Sequence, residues 1–220
     1  MFILILILFV HLFLEIKNLH LTFYLVVGRL SSMSNEMTEK ILDVAQDFIM
    51  DRGYRAFSYK DLSKEIGIKT SSIHYYFPSK GDLGKTLAER FIQNVRELLE
   101  LIDSTTDDPK EKIKKYIHIF HENLKAGDRV CFCAMLASDY ANLPEEVQKE
   151  VIRLIQLHET WLTKVLKSGL KNKVFEFSAK PEDKAKAIFS ALEGSTISSR
   201  AFANADRILM VEDMILNSIT

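Results

Sequence analysis

The amino-acid sequence predicts an all-α protein. Apolar residues recur at intervals of three or four along most of the chain, the spacing that places them on one face of a helix. After residue 37 no stretch alternates between apolar and polar residues as a half-buried strand would. With 220 residues, 47% of them hydrophobic, the chain is long enough for a packed core and for one or two domains. We predict a small three-helix domain over residues 33–84 and a larger helical domain over residues 85–220.

Residues 1–32 form an apolar leader of two apolar clusters, separated by Glu15 and Lys17. A secretory signal peptide would have a basic start and a small-residue cleavage site, and neither is evident. The two charged residues also interrupt the run of about 20 apolar residues that a membrane span needs. We hypothesise that translation begins at Met33, which would make the leader a mis-assigned start. A membrane tether formed by residues 1–27 is the alternative.

The first helix is predicted from Thr38 to Arg52. Thr38 is a suitable amino-terminal cap, and Gly53 ends the helix. Its buried stripe is predicted to consist of Ile41, Ala45, Phe48 and Ile49. We interpret this helix as a brace for the two helices that follow.

Two short helices joined by a tight turn come next. Ser58 can cap the first of them, and Asp61 adds a second cap contact three residues later. Gly67 is placed where a left-handed residue would end that helix. The second helix begins near Thr70 and is terminated by Pro78. This order is typical of a helix-turn-helix.

The exposed face of the second helix is polar and aromatic. Ile73 and Phe77 share its buried face, so Ser71 and Tyr75 must point away from the core. Ser72, His74 and Tyr76 lie on the flanks. Hydroxyl groups and an imidazole suit hydrogen bonds to phosphates and base edges in a DNA major groove. The alternative is a surface helix pair with ordinary polar decoration.

Charge supports the DNA-binding interpretation locally, although the whole chain has a net charge of only −1. Between residues 52 and 80 there are six basic residues against two acidic ones, Asp61 and Glu65. A local positive surplus is what a DNA-binding face needs, because phosphate contacts release counterions. A charge fluctuation in a solvated region is the other interpretation.

Four segments together resemble the amino-terminal domain of TetR-type (TetR/AcrR family) transcriptional regulators. They are TEKILDVA at 38–45, RGY at 52–54, GI at 67–68 and IHYYFPSK at 73–80. The detailed resemblance covers residues 37–83, and beyond it rests on length and an all-helical pattern.

One position departs from the family pattern, because many members have a tyrosine where this chain has His74. The resemblance implies binding to double-stranded operator DNA. Ser71 and Tyr75 are the better candidates for reading bases, and Lys60, Tyr76 and Lys80 for holding phosphates. The full predicted set of DNA-binding residues is Ser58, Lys60, Lys69, Thr70, Ser71, Ser72, His74, Tyr75, Tyr76 and Lys80.

Six further helices are predicted in the larger domain. Ser79 caps the first, a long helix that links the two domains. The others are expected to run from Pro109 to about Gly127, from Val130 to Tyr140, from Pro144 to Gly169, from Pro181 through Ser198, and from Ile208 to Ile219. In TetR-type proteins the last two helices form a four-helix dimer interface, so the resemblance implies a homodimer through residues 181–219. An intramolecular hairpin is the alternative.

The resemblance also implies that a small-molecule effector, whose identity the sequence does not give, binds in the larger domain. An apolar cavity with a few polar points is the usual make-up of such a site. The residues predicted to line it are Phe91, Phe120, Phe132, Met135, Tyr140, His158 and Trp161, with His121 beside them. Taken singly, each is more typical of ordinary core packing.

Cys131 and Cys133 are the one unusual chemical feature. They are too few and too close for a disulfide framework and suit a reducing cytoplasm, where we expect the protein to act. Arg129 would lower their pKa and favour the nucleophilic thiolate, which makes an oxidant or electrophile sensor one hypothesis. Buried, inert cysteines are the other. A small thiol-dependent enzyme would use the same residues.

Other chemistry finds no support in the sequence. There is no CxxC pair, no HExxH and no phosphate-binding GxxxxGK loop. We therefore expect no metal site, no cofactor and no enzymatic activity. The sequence therefore predicts a ligand-responsive DNA-binding regulator. A repressor is favoured over an activator.

Overall fold

Helices make up nearly all the regular structure in residues 33–126 and 130–220, the stretches of the chain that this computed structural model describes. No residue in these ranges lies in a strand, which confirms the all-α prediction. The helices are α1 (Met33–Arg52), α2 (Tyr59–Ile66), α3 (Thr70–Tyr76), α4 (Lys80–Thr105), α5 (Pro109–Lys125), α6 (Phe132–Ser138), α7 (Glu145–Lys171), α8 (Pro181–Ala201) and α9 (Arg207–Asn217). Two short 3₁₀ helices, Tyr54–Ala56 and Tyr140–Asn142, lie between them.

Several helix ends differ from the prediction. Helix α1 begins at Met33 rather than Thr38, because no proline or glycine interrupts the residues between them. Helix α6 is shorter than predicted, with Cys131 as its N-cap residue. Helix α7 continues through Gly169 to Lys171. The predicted leader and the predicted helix end at Gly127 lie outside the described residues.

Gly169 serves to let the connection after α7 pack closely against that helix, rather than to end the helix. A methyl group at Gly169 would lie only 1.9 Å from the ring of Phe175, which is buried. Glycine is therefore required here for the close approach of Phe175, while its backbone stays helical.

Helix α7 lies at the centre of the larger helical region, which comprises α4 to α9, and it packs against α4, α5, α6 and α8. Helix α9 packs against α8 and α5, and α2 packs against α3. One continuous cluster of buried apolar residues extends from Ile41 in α1 to Ile219 at the carboxyl end.

Residues 37–220 form one compact unit. The boundary predicted between residues 84 and 85 falls inside α4, so one continuous helix runs through both predicted domains. Within the described ranges, no helix is both long enough and apolar enough to cross a membrane.

The packing of Phe175 leads to a test by substitution. Gly169→Ala should lower the free energy of unfolding, because overpacking costs about 1–3 kcal/mol and the gain in helix propensity offsets only about 1 kcal/mol. Ser168→Ala, at an exposed neighbour on the same helix, should be neutral or slightly stabilising. Urea unfolding followed by circular dichroism would compare the two, and equal midpoints would show that the helix end is not tightly packed.

Candidate functional site

Local hydrogen bonds define the helix-turn-helix formed by α2 and α3. The Ser58 hydroxyl accepts from the Asp61 backbone N–H, and the Asp61 carboxylate accepts from the Ser58 N–H at 2.7 Å. This capping box confirms the predicted start of α2. Gly67 has φ 80° and ψ 29°, the left-handed conformation that ends α2 and begins the turn.

Tyr59 holds the carboxyl end of α3 in place. Its hydroxyl donates to the carbonyl oxygens of Phe77 at 3.0 Å and Ser79 at 2.5 Å. Its ring packs edge-on against His74, with centroids 4.7 Å apart. Burial raises the pKa of Tyr59, so its hydroxyl stays protonated and remains a donor. Helix α3 is thus fixed to the start of α4.

Lys80 points into the domain rather than away from it. Its ammonium donates to the carbonyl oxygens of Tyr54 at 2.6 Å and Phe57 at 2.5 Å. It also lies 4.1 Å from the centre of the Phe57 ring. Partial burial lowers the pKa of Lys80. These contacts bind the side chain to the domain's own backbone, and the phosphate contact of Lys80 stays a prediction.

The remaining predicted DNA-binding residues lie on α2 and α3 or directly before them. Tyr75 is 83% exposed and packs edge-on against Tyr76, at 5.3 Å between ring centres. Lys60, Lys69, Ser71 and His74 are exposed, while Thr70, Ser72 and Tyr76 are half-buried. Ser58 is also exposed, but its hydroxyl takes part in the cap of α2. The helix-turn-helix therefore presents hydroxyls, aromatic rings and two lysines at its surface.

Tyr116 is the centre of an aromatic cluster in the larger helical region. Its ring centre lies 5.2 Å from Phe120 and 5.1 Å from Trp161. Its hydroxyl lies 2.8 Å from Nδ1 of His158, and the His158 ring stacks on Phe189 at 4.8 Å. Burial lowers the pKa of His158 to about 3, so the ring is neutral and Nδ1 can accept a hydrogen bond from the Tyr116 hydroxyl.

The other predicted effector residues are more scattered. Phe91 and Phe132 stack on each other at 4.6 Å, and Met135 lies 3.9 Å from the Arg200 guanidinium. Tyr140 is 36% exposed on a 3₁₀ helix and is not part of the aromatic cluster.

His121 is also used elsewhere in the fold. Its Nε2 lies 2.9 Å from the Asp206 carboxylate, in the connection between α8 and α9.

The two cysteines are close to an acidic side chain. Cys131 is half-buried and Cys133 is buried. Burial raises the pKa of both thiols, and the nearby Glu193 carboxyl raises it further. Raised pKa values argue against a reactive thiolate and therefore against the predicted thiol sensor. Arg129, which was expected to activate the thiols, lies outside the described residues.

Tyr116, Phe189 and Glu193 were missed by the sequence analysis. All three lie beside residues that it did single out. Phe189 and Glu193 are one helical turn apart on α8, and Phe189 is one of that helix's buried residues. The spacing of these two residues places a carboxylate on the same face of α8 as a buried aromatic residue. This spacing can be seen in the sequence alone, and it could have indicated Glu193 as a site residue.

A helix-turn-helix braced by α1 and joined to a larger helical region is typical of DNA-binding regulators. The family model for bacterial regulatory proteins of the tetR family matches residues 41–85. A TetR-family transcriptional regulator from Agrobacterium tumefaciens is 30% identical, with a TM-score of 0.82 over 84% of this chain and 98% of that chain. A TetR transcriptional regulator from Legionella pneumophila is 31% identical, with a TM-score of 0.77 over 87% of this chain and 100% of that chain.

A further relative is the transcriptional repressor NemR of Escherichia coli K12. It is 19% identical over 169 residues, which are 76% of this chain and 85% of NemR. Together the fold and the helix-turn-helix define a transcriptional regulator. The chain belongs to the TetR family.

The contacts of Lys80 predict that replacing Lys80 lowers stability more than replacing Lys60 does. Lys80→Met should lower the free energy of unfolding by about 1–3 kcal/mol, because two backbone carbonyls lose their charged donor. Lys60→Met, at an exposed position, should have almost no effect on unfolding. Thermal unfolding of both variants would measure this, and equal losses of stability would contradict the structural role of Lys80.

Proposed function

We propose that this protein is a sequence-specific repressor that binds its operator as a homodimer and is released by a small-molecule effector. This proposal rests on the exposed polar and aromatic face of α3. Tyr59 and Lys80 fix the helix-turn-helix that contains this helix to the rest of the fold. NemR, which is named a repressor, supports the direction of regulation.

Helix α3 is the element proposed to enter the major groove. Ser71 and Tyr75 are exposed four residues apart on its outer face, so both can reach base edges when the helix lies in the groove. Lys60 at the start of α2 and Lys69 just before α3 are placed to contact phosphates on either side. Neither lysine forms an ion pair with another residue in the described ranges.

These roles predict two kinds of DNA-binding defect. Ser71→Ala should weaken operator binding by about 1–3 kcal/mol and leave random DNA almost unaffected, because a base contact is lost. Lys69→Ala should weaken binding to every sequence and reduce the salt slope by about one, because a phosphate contact is lost. Fluorescence anisotropy at several salt concentrations would separate the two.

The control for both variants is Ser168→Ala, an exposed serine on α7 far along the chain from α3. The operator is obtained by selection from genomic DNA. If the wild-type protein binds the selected and random sequences equally, specific DNA recognition is ruled out. If Ser71→Ala weakens both alike, the base-reading role is wrong.

The proposed dimer interface lies on α8 and α9. Exposed apolar side chains are concentrated there, namely Ile197, Phe202, Leu209, Met210 and Met214, with Met210 71% exposed. A methyl group at Gly194 on α8 would meet no atom within 4 Å, so this helix has an open surface that another helix can approach. A concentration of exposed apolar side chains favours a protein interface. A second copy of the chain fits it, because operators with two half-sites require two recognition helices related by symmetry.

An introduced charge should break this interface. Met210→Glu is expected to convert the dimer to a folded monomer, because an unpaired carboxylate would be buried between the subunits. Leu101→Glu is the matched control, since Leu101 is an exposed apolar residue on α4 and outside the proposed interface. Light scattering after size-exclusion chromatography gives the mass. A monomeric wild-type protein, or a dimeric Met210→Glu variant, would contradict the proposal.

Release by an effector requires contacts between the larger helical region and the helices that carry α3. Arg200 on α8 provides one, since its guanidinium donates to the backbone carbonyls of Met50 at 3.3 Å and of Asp51. These carbonyls are at the carboxyl end of α1, where a cation is favoured by the helix dipole. An effector that binds one arrangement of α8 more tightly than another would therefore shift α1. The contacts that α3 makes with its DNA half-site would shift with it.

A further inference from the structure

A groove lies between α6 and α8 on the surface of the larger helical region. Its volume is about 410 Å³, within the range of small-molecule sites. Val130, Ala134 and Met135 line one side, and Ile197, Arg200 and Ala201 line the other. Its walls are mainly apolar, with the Arg200 guanidinium as the charged group among these six residues.

Cys131 and Glu193 are close to residues that line the groove. Cys131 follows the lining residue Val130, and Glu193 lies one helical turn before the lining residue Ile197 on α8. The Glu193 carboxyl and the Cys131 thiol interact electrostatically. The Glu193 carboxyl is thus next to the segment that contributes Val130 to the groove, although its oxygens are buried.

Both carboxyl oxygens of Glu193 are buried, and neither has a hydrogen bond of good geometry in the described ranges of the chain. The Cys131 thiol, a weak donor, interacts with this carboxyl, and no basic side chain in the described ranges forms an ion pair with Glu193. A buried carboxyl without a cationic partner is unfavourable. Such groups in native proteins call for a functional explanation or a missing partner.

The surroundings of Glu193 are aromatic and uncharged. Phe189 lies one turn before it on α8 and stacks on the neutral His158 ring. The Tyr116 hydroxyl interacts electrostatically with the carboxyl. His158 Nε2 is also buried without a hydrogen-bond partner among the residues described. Aromatic faces attract cations, and a desolvated site strengthens this attraction.

We propose that the effector is an organic cation with an apolar body, whose positive group pairs with Glu193 beside the Tyr116–His158 aromatic cluster and whose body extends into the α6–α8 groove. This inference rests on the proposed function, because it names the class of effector to which the regulator responds. Arg200 lines the same groove and holds the carboxyl end of α1, so the bound body would contact the residue that links α8 to the DNA-binding helices.

A metal ion fits this site less well. Within the described ranges, the one group of His, Cys, Asp and Glu ligand atoms lying within 4.8 Å of one another is His118, His121 and Glu122 on α5. Cys131, Cys133 and Glu193 are not brought together in this way. Their thiols are also held protonated by burial, whereas a metal would require thiolates.

The pH dependence of cation binding follows from burial. Burial raises the pKa of Glu193 to about 7, so the empty site is largely protonated below pH 7 and must lose a proton to pair with a cation. The groups that face it do not titrate near neutral pH, because the pKa values of Cys131, Cys133 and Tyr116 are raised and that of His158 is about 3. Binding should therefore weaken as pH falls.

The test uses phenyltrimethylammonium, a permanent cation, and its uncharged isostere tert-butylbenzene. Trp161 is the only tryptophan in the chain and packs on Tyr116, so its fluorescence reports binding. We expect saturable binding of the cation and at least tenfold weaker binding of the isostere. Affinity for the cation should rise about tenfold between pH 6 and pH 8, because a carboxyl with a pKa of about 7 ionises over that range.

Two variants provide the controls. Glu193→Gln keeps the side-chain volume and should lose at least tenfold in affinity for the cation, together with its pH dependence. Glu182→Gln, at an exposed carboxylate on the same helix, should bind as the wild type does. Circular dichroism establishes that both are folded, and the pH profile of the wild-type protein tests the proposal without any variant.

The outcomes separate this proposal from the proposed function. Equal binding of cation and isostere, a flat pH profile, or full affinity in Glu193→Gln would each overturn the cation site, as would no binding at millimolar cation. Operator binding measured on the same samples decides the proposed function independently. A protein that binds its operator but not the cation would retain the first proposal and lose the second.

Discussion

The reciprocal hydrogen bonds between Tyr54 and Lys80 fix the first turn of α4 against the connection between α1 and α2. The Tyr54 hydroxyl donates to the Lys80 carbonyl at 2.7 Å, and the Lys80 ammonium donates back to the Tyr54 carbonyl at 2.6 Å. Tyr59 ties α3 to the same turn through the Ser79 carbonyl. The direction in which α3 presents Ser71 and Tyr75 therefore depends on where α4 begins.

Because of this dependence, the larger helical region is connected to α3 by two routes. Helix α4 continues for 26 residues from the Lys80 contacts and packs along α7, so a tilt of α4 would carry the recognition helix with it. Arg200 provides the second connection, from α8 to the carboxyl end of α1. Both connections end on the helices that support α3, and neither includes the exposed residues that are proposed to contact DNA. The proposed effector binding and the proposed base reading therefore use different residues of one compact unit.

Predictions from the sequence succeeded where the determining interactions are local. The capping boxes at Ser58 and Ser79 each use a carboxylate three residues away, and Gly67 needs only its own backbone freedom. The exposed position of Tyr75 follows from helical spacing relative to Ile73. The sequence did not indicate the contacts of a long side chain that had a choice of partners, as Lys80 did. Its carbonyl acceptors lie 23 and 26 residues earlier, and no local pattern indicates that the ammonium turns toward them.

The sequence by itself determined the helices, the turn between α2 and α3 and the family, because periodic burial and capping act over a few residues. Only the tertiary structure decided that Tyr116 bonds His158, 42 residues away, and that Arg200 bonds Met50, 150 residues away. It also decided that the Glu193 carboxyl oxygens would be buried and would interact with two thiols and a tyrosine. These features depend on which faces of α5, α6, α7 and α8 meet, and amphipathic spacing indicates that a face is buried without specifying what covers it.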